Sequence, residues 1–204
     1  MSLPNYNPSN ANSLSGVMAE VLKNFGLSLE NSMPAIVISY DRTNNIAEVQ
    51  PAINSVLTDG NAQQRDTIKL PVHLYGGNGV VISCPLKKGD TGFIIAGDRD
   101  ISLFKQSLKV SNPNTYRTHK LSFGFFIPDK IKGVSVSSAD SDSLTIQTLD
   151  GNTKISLKSG QVNIVSSSKV DITASNLTIT SPSVKITGTA QITGDLTVNG
   201  TIHN

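Results

Sequence analysis

One cysteine and one nearby histidine are the first candidates for nucleophilic chemistry in this sequence. Cys84 would need a base to act as a nucleophile, and His73 is the histidine closest to it in sequence, at a spacing that matches no catalytic pattern. The surrounding run VVISCPL predicts instead that Cys84 is a small buried side chain. A single cysteine also excludes an intrachain disulfide and any CxxC metal site.

Other residues that could do chemistry also lack a convincing pattern. Asp140, Asp142 and Asp150 could supply paired carboxylates for glycoside cleavage, but they stand in a polar stretch where solvation explains them better. The run GGNG lacks the lysine and helix of a phosphate-binding loop. A net charge of +2 and aromatics without interleaved basic clusters argue against nucleic acid as a partner. We therefore predict that the protein is not an enzyme.

Composition divides the chain into two unlike parts. All ten aromatic residues precede residue 127, whereas the 71 residues from Val134 to Asn204 contain no aromatic, Arg, Glu or Cys and include 24 Ser or Thr. No apolar run approaches the roughly 18 residues of a membrane span, and the sequence MSLPNYNPSN lacks the regions of a secretion signal. We expect a soluble product made in the cytoplasm.

Residues 1–32 predict an arm followed by one amphipathic helix. Residues 1–12 are rich in Asn and Pro and indicate an arm without structure of its own. Ser13 suits the N-cap of the helix and Gly26 suits its C′ position. The helix either packs on its own domain or offers its apolar stripe to another protein. The stripe recurs at three- and four-residue steps and consists of Leu14, Val17, Met18, Val21, Leu22 and Phe25.

Residues 33–130 predict a small β domain, which we call the collar. Its first two predicted strands, Ala35–Tyr40 and Ile46–Gln50, flank the turn-forming run DRTNN. Several short strands with one helix before the last strand are typical of a small closed barrel of the OB type. The other predicted elements are strands at Ile53–Leu57, Ile68–Leu70, Val80–Ile82, Phe93–Ala96 and Leu121–Ile127, and a helix at Ile101–Leu108.

Residues 131–143 predict a neck linker, and residues 144–204 predict a repeat of short strands. Apolar residues come in pairs separated by one polar residue, and the first members of successive pairs lie 11, 7, 8, 7, 7, 6 and 6 residues apart. Each strand buries one face and must obtain its core by stacking. The predicted core residues are Leu144, Ile146, Ile155, Leu157, Val162, Ile164, Val170, Ile172, Leu177, Ile179, Val184, Ile186, Ile192, Leu196 and Val198.

Two architectures can stack such strands. In a left-handed single-chain β-helix, three strands make one coil, and a near-constant repeat is required because each strand stacks on the one three repeats later. In a trimeric β-prism, three chains each supply one strand per layer around a threefold axis. The repeat shortens from 8 to 6 residues towards the C-terminus. This drift favours a tapering, intertwined trimeric β-helix, because the three chains of a prism shorten together.

The order of the motifs resembles a known family. A helix precedes MPAIVISYDRTNNIAEVQPAI; then follow LPVHLYGG, PLKKGDTGFIIAGDRDISLF, RTHKLSFGFFIP and a Ser/Thr-rich needle. Together they resemble the central spike of contractile-tailed bacteriophages, a baseplate tip protein with an OB-fold collar and a trimeric β-helix. The resulting fold class is all-β with one N-terminal helix.

The resemblance implies where such a protein works and what it contacts. It implies a homotrimer in the virion, at the tail baseplate, assembled in the host cytoplasm. The collar would dock on a tail hub protein, for which the helix stripe is our candidate surface. Sheath contraction, in a phage or a related contractile injection system, would drive the needle transiently through the host outer membrane. A separate spike-tip cap protein is a further candidate partner.

The resemblance also guides the interpretation of two histidines. His119 stands at the family's Arg-x-His position with Arg117, and we expect a structural hydrogen-bonding pair, as we expect a structural role in the barrel for His73. Many members end in a His-x-His pair that binds iron at the tip, but this sequence ends TIHN. Three copies of His203 on the axis are a weak metal candidate, so we predict no cofactor.

Two other functions remain open at this point. A hexapeptide-repeat acyltransferase with a left-handed β-helix would use His203 or His119 as its base, but it needs a regular six-residue period. A receptor-binding tail fibre tip would present aromatic residues and loops at its far end, where this sequence has neither.

Overall fold

The computed structural model describes residues 13–56 and 61–201. The strands of the collar are β1 (Ser32–Asp41), β2 (Ile46–Pro51), β3 (Ser55–Val56), β4 (Ala62–Gln63), β5 (Ile68–Pro71), β6 (Tyr75–Gly77), β7 (Val80–Ile82), β8 (Thr91–Arg99) and β9 (Thr118–Pro128). Five of them form an antiparallel sheet of the order β5-β2-β1-β8-β9, and the other four form two short hairpins, β3–β4 and β6–β7.

The collar sheet curls into a nearly closed barrel. Val72, just after β5, forms a parallel bridge with Phe126 of β9, and the His73 amide donates to the Phe126 carbonyl at 2.8 Å. Alternation along the strands sends one set of side chains inwards, as Ala47, Val49 and Pro51 show in β2. The buried core consists of Ala35, Val37, Ala47, Val49, Leu70, Val72, Ile94, Leu121 and Phe126. The prediction of an OB-like barrel is confirmed.

One helix precedes this sheet in sequence, and a second lies between its last two strands. Helix α1 (Leu14–Ser28) begins as expected, because the Ser13 hydroxyl accepts a hydrogen bond from the Gly16 amide at 3.1 Å. The prediction that Gly26 follows the end of the helix is wrong, because α1 continues to Ser28 and Leu29 is its C-cap. Helix α2 (Ser102–Ser107) confirms the predicted helix between the last two strands, and it ends where Leu108 adopts a left-handed conformation.

Glu30 fixes the connection between α1 and the barrel. Its carboxylate accepts hydrogen bonds from Arg65 Nη1 at 2.7 Å and from the Leu121 amide at 3.1 Å. Its own amide donates to the His119 carbonyl at 3.1 Å. Because the segment around Arg65 and strand β9 both bond to this one residue, the end of α1 is joined to the collar at a defined place.

The C-terminal third begins with a second, separate sheet. After a 3₁₀ turn (Ser138–Asp140), strands β10 (Leu144–Gln147), β11 (Lys154–Lys158) and β12 (Gln161–Val165) form an antiparallel sheet in sequence order, which we call the stem sheet. Residues 166–201, the needle segment, contain no helix or strand. This is a difference from the expected uniform β-helix, because the first three apolar pairs associate with one another in the same chain.

Candidate assembly surfaces

The stem sheet gathers six of the predicted core residues on one face. Leu144 lies opposite Leu157 and Ile146 opposite Ile155 between β10 and β11. Between β11 and β12, Ile155 lies opposite Ile164 and Leu157 opposite Val162. All six are between 40% and 68% exposed, so no residue within 13–56 or 61–201 covers this face. A fully apolar face of a three-stranded sheet is left open to solvent.

The polar face of the same sheet is the covered one. Thr145, Ser156 and Asn163 lie side by side across the three strands, and Ser156 is buried. The neck lies over this face, and the Gln147 side-chain amide donates to the Ser135 carbonyl at 2.7 Å. The usual arrangement of a two-faced sheet is therefore reversed, with the polar side packed and the apolar side bare.

An ion pair fastens the neck to the stem sheet. Asp140 is buried and bonds the ammonium of Lys154, and this hydrogen bond holds the pKa of Asp140 below its usual value. A second pair joins Lys158 to Asp142 at 4.0 Å on the exposed edge. The expectation that these neck carboxylates are merely solvated is wrong for Asp140. Asp150 is exposed in the β10–β11 turn and accepts a hydrogen bond from the Asn152 amide at 3.1 Å.

The needle segment continues the apolar stripe without a partner. Every residue from 167 to 201 is exposed, and none of the strands in the described part of the chain pairs with this segment. Its predicted core residues are between 46% and 69% exposed. They are Val170, Ile172, Leu177, Ile179, Val184, Ile186, Ile192, Leu196 and Val198.

The stripe of α1 is a second bare apolar surface. Its six residues, Leu14, Val17, Met18, Val21, Leu22 and Phe25, are between 48% and 79% exposed. Glu20 and Lys23, the charged residues of the helix, form an ion pair with each other at 3.6 Å. Neither charged residue belongs to the stripe, so the stripe itself is uncharged, and the described part of the collar does not cover it.

The residues considered for chemistry lie apart from these surfaces. Cys84 is exposed, so the prediction of a buried thiol is wrong. His73 is exposed and packs edge-on against Tyr75, with ring centroids 5.0 Å apart. The ring of His119 contacts Asn31 at 2.9 Å and Asp98 at 3.0 Å, in place of the expected Arg117. His203 lies outside the described residues.

Within 13–56 and 61–201, no three His, Cys, Asp or Glu side chains are grouped as a metal site. In the same ranges, no helix has the length and apolar character needed to cross a membrane.

The comparisons with known proteins concern the collar. The fold is that of a small OB-like barrel with bare apolar surfaces before and after it. Residues 33–129 match the family model described as "Phage protein Gp138 N-terminal domain". The match supports a phage structural, tail-associated protein and a virion-associated component. No curated protein matches the chain.

Proposed function

We propose that this chain is the central spike of a contractile phage tail, or of a related contractile injection system. Three copies form the spike; the collars dock on the tail hub, and the needle punctures the host outer membrane when the sheath contracts. The observation that carries the proposal is the uncovered apolar stripe from Leu144 to Val198, which follows a collar that matches a phage domain.

The bare stripe supports a trimer over a single-chain coil. A left-handed β-helix would pair its strands within one chain, but residues 166–201 form no such ladder. Extended strands with one apolar face need neighbouring strands, and identical copies of the chain supply them in the same order. Interlocked chains separate only by unfolding, which gives the mechanical stability that a puncturing needle requires.

The α1 stripe serves as the hub-docking surface in this proposal. It is apolar, uncharged and not covered by its own collar, which fits an amphipathic helix that lies in an apolar groove of a partner. Glu30 anchors the end of the helix in the barrel, so force on the docked helix passes directly into the collar.

Incorporation of variants into tails tests the docking proposal. Val21→Asp places a charge in the stripe and should give a trimeric protein that is missing from purified tails. Ala19→Asp carries the same charge on another face of the same helix and should be incorporated normally. Normal incorporation of Val21→Asp would contradict docking through the stripe, and an insoluble product would show that the stripe packs on its own collar.

Labelling of assembled particles tests the function itself. A peptide tag at the C-terminus should be found by electron microscopy at the distal end of the tail. A tag along the tail tube, on the fibres or absent from particles would contradict the spike assignment.

A further inference from the structure

The stem sheet differs from the needle segment in one property that bears on assembly. Its three strands pair with one another in the single chain, with the outer edges of β10 and β12 left open, whereas residues 166–201 belong to no strand there. The stem sheet is thus formed before chains meet, and the needle segment is not. Only the stem sheet can present a defined surface to another copy.

We infer that the bare face of the stem sheet packs on the stem sheets of two further copies, and that this contact sets the register of the three needle segments. The inference deepens the proposed function and rests on it. It assigns to Leu144–Val165 the role of a trimerisation element, and it makes folding of the needle a consequence of trimer formation.

The chemistry of the face identifies its occupant. The face contains six aliphatic side chains and no charge, and it continues directly into the stripe of the needle segment. The neighbouring lysines, Lys154 and Lys158, already pair with Asp140 and Asp142. No unpaired lysine beside the face is therefore available to select an acidic partner, and a second copy offers the same aliphatic surface in the same order.

Register is the problem that the stem sheet solves. Successive pairs of the needle segment are nearly alike and six or seven residues apart, so a chain displaced by one pair would bury almost the same residues. The stem sheet has no such ambiguity, because residues 148–153 make the β10–β11 connection longer than the two-residue β11–β12 turn. Once three stem sheets are packed, the needle segments are held together at high effective concentration in one register.

Two charge substitutions in the full chain separate the roles of stem and needle. Ile155→Asp, at the centre of the bare face, should lower the trimer fraction at least roughly tenfold, because it would bury three unpaired carboxylates. Ile179→Asp, in the needle segment, should leave a trimer by light scattering in native buffer but abolish resistance to unheated SDS. Val165→Asp, opposite Lys154 on the other face, is the matched control and should behave as wild type.

The outcomes distinguish this inference from the proposed function. A monomeric Ile179→Asp, or a trimeric Ile155→Asp, would overturn the role of the stem sheet while wild type remained a trimer. A monomeric wild type would instead overturn the spike. The collar unfolding transition, followed in each variant, shows whether the chain has folded. If Ile155→Asp does not fold, Ile155→Thr, which keeps strand propensity, should show the same loss of trimer in a folded chain, and unchanged trimer yield would overturn the inference.

Discussion

Truncation of one residue on the bare face of the stem sheet has a predictable cost. Ile164 lies opposite Ile155 and is 61% exposed in the single chain. Full burial of such a side chain stabilises by about 1.5–3 kcal/mol, so covering the exposed fraction contributes about 1–2 kcal/mol per copy. Because three copies lie at one level, Ile164→Ala should lower the free energy of trimer unfolding by about 3–6 kcal/mol, before any cavity cost.

Thermal unfolding of the full chain at one fixed concentration measures this effect. The control is Val165→Ala, which truncates the neighbouring residue on the other face, where Val165 lies opposite Lys154. We expect a clear fall in the unfolding temperature of the C-terminal transition for Ile164→Ala and a much smaller one for Val165→Ala. If the two variants lowered the unfolding temperature equally, or if Ile164→Ala lowered it no more than truncation of a solvent-exposed residue does, this face would not be covered by other copies.

The remaining predictions concern the neck and the collar. Because Lys154 depresses the pKa of Asp140, this carboxylate should contribute stability above its unfolded pKa of about 3.9 and lose it as the pH falls through the folded value. Asp140→Asn should therefore unfold at a lower temperature than wild type at pH 7, and the difference should shrink as the pH falls through the folded pKa of Asp140; a difference that does not change with pH would contradict this linkage. In the collar, a Cβ on Gly124 would collide with the Ile95 carbonyl oxygen, so Gly124→Ala should lower the free energy of unfolding of the collar by about 1–3 kcal/mol. Gly26→Ala in α1 places its Cβ in open space and should be neutral or stabilising by up to about 1 kcal/mol. A denaturant titration measures both glycine variants, and a more stable Gly124→Ala than Gly26→Ala would contradict the packing.

Local patterns were sufficient to predict much of the collar. The run DRTNN predicted the β1–β2 hairpin, in which Asp41 accepts hydrogen bonds from the Thr43 and Asn44 amides. Val80–Ile82 and the final strand were also predicted, because alternation and turn residues are local signals. The short strand Tyr75–Gly77 was missed, since its two glycines give no strand signal.

The errors have a different origin, because they depend on contacts distant in sequence. Asp140 is buried through Lys154, fourteen residues away, and no neighbour in sequence indicates that contact. Helix α1 continues past Gly26 to Ser28 and ends two residues before Glu30, whose partners Arg65 and Leu121 come from distant parts of the chain. Cys84 stands in an apolar run that crosses the surface of the collar, so composition alone gave the wrong burial.

The division of the C-terminal third was only partly predictable. In the stem sheet, the paired apolar residues lie on one face, as alternation along a strand requires, whereas the trimer core predicted from them stays a prediction. They did not reveal that β10, β11 and β12 pair within one chain while residues 166–201 do not. The spacing of 11 residues between the first two pairs, which leaves room for a six-residue connection, is the signal in the sequence that distinguishes the stem sheet.

The mass of the full chain in solution tests the central claim most directly. One chain has a mass of 21.6 kDa, so light scattering coupled to size exclusion should give about 65 kDa for the spike. This mass should persist on dilution, because interlocked chains separate only by unfolding. A folded species of 21.6 kDa would contradict the account, since the apolar stripe from Leu144 to Val198 would then have no partner.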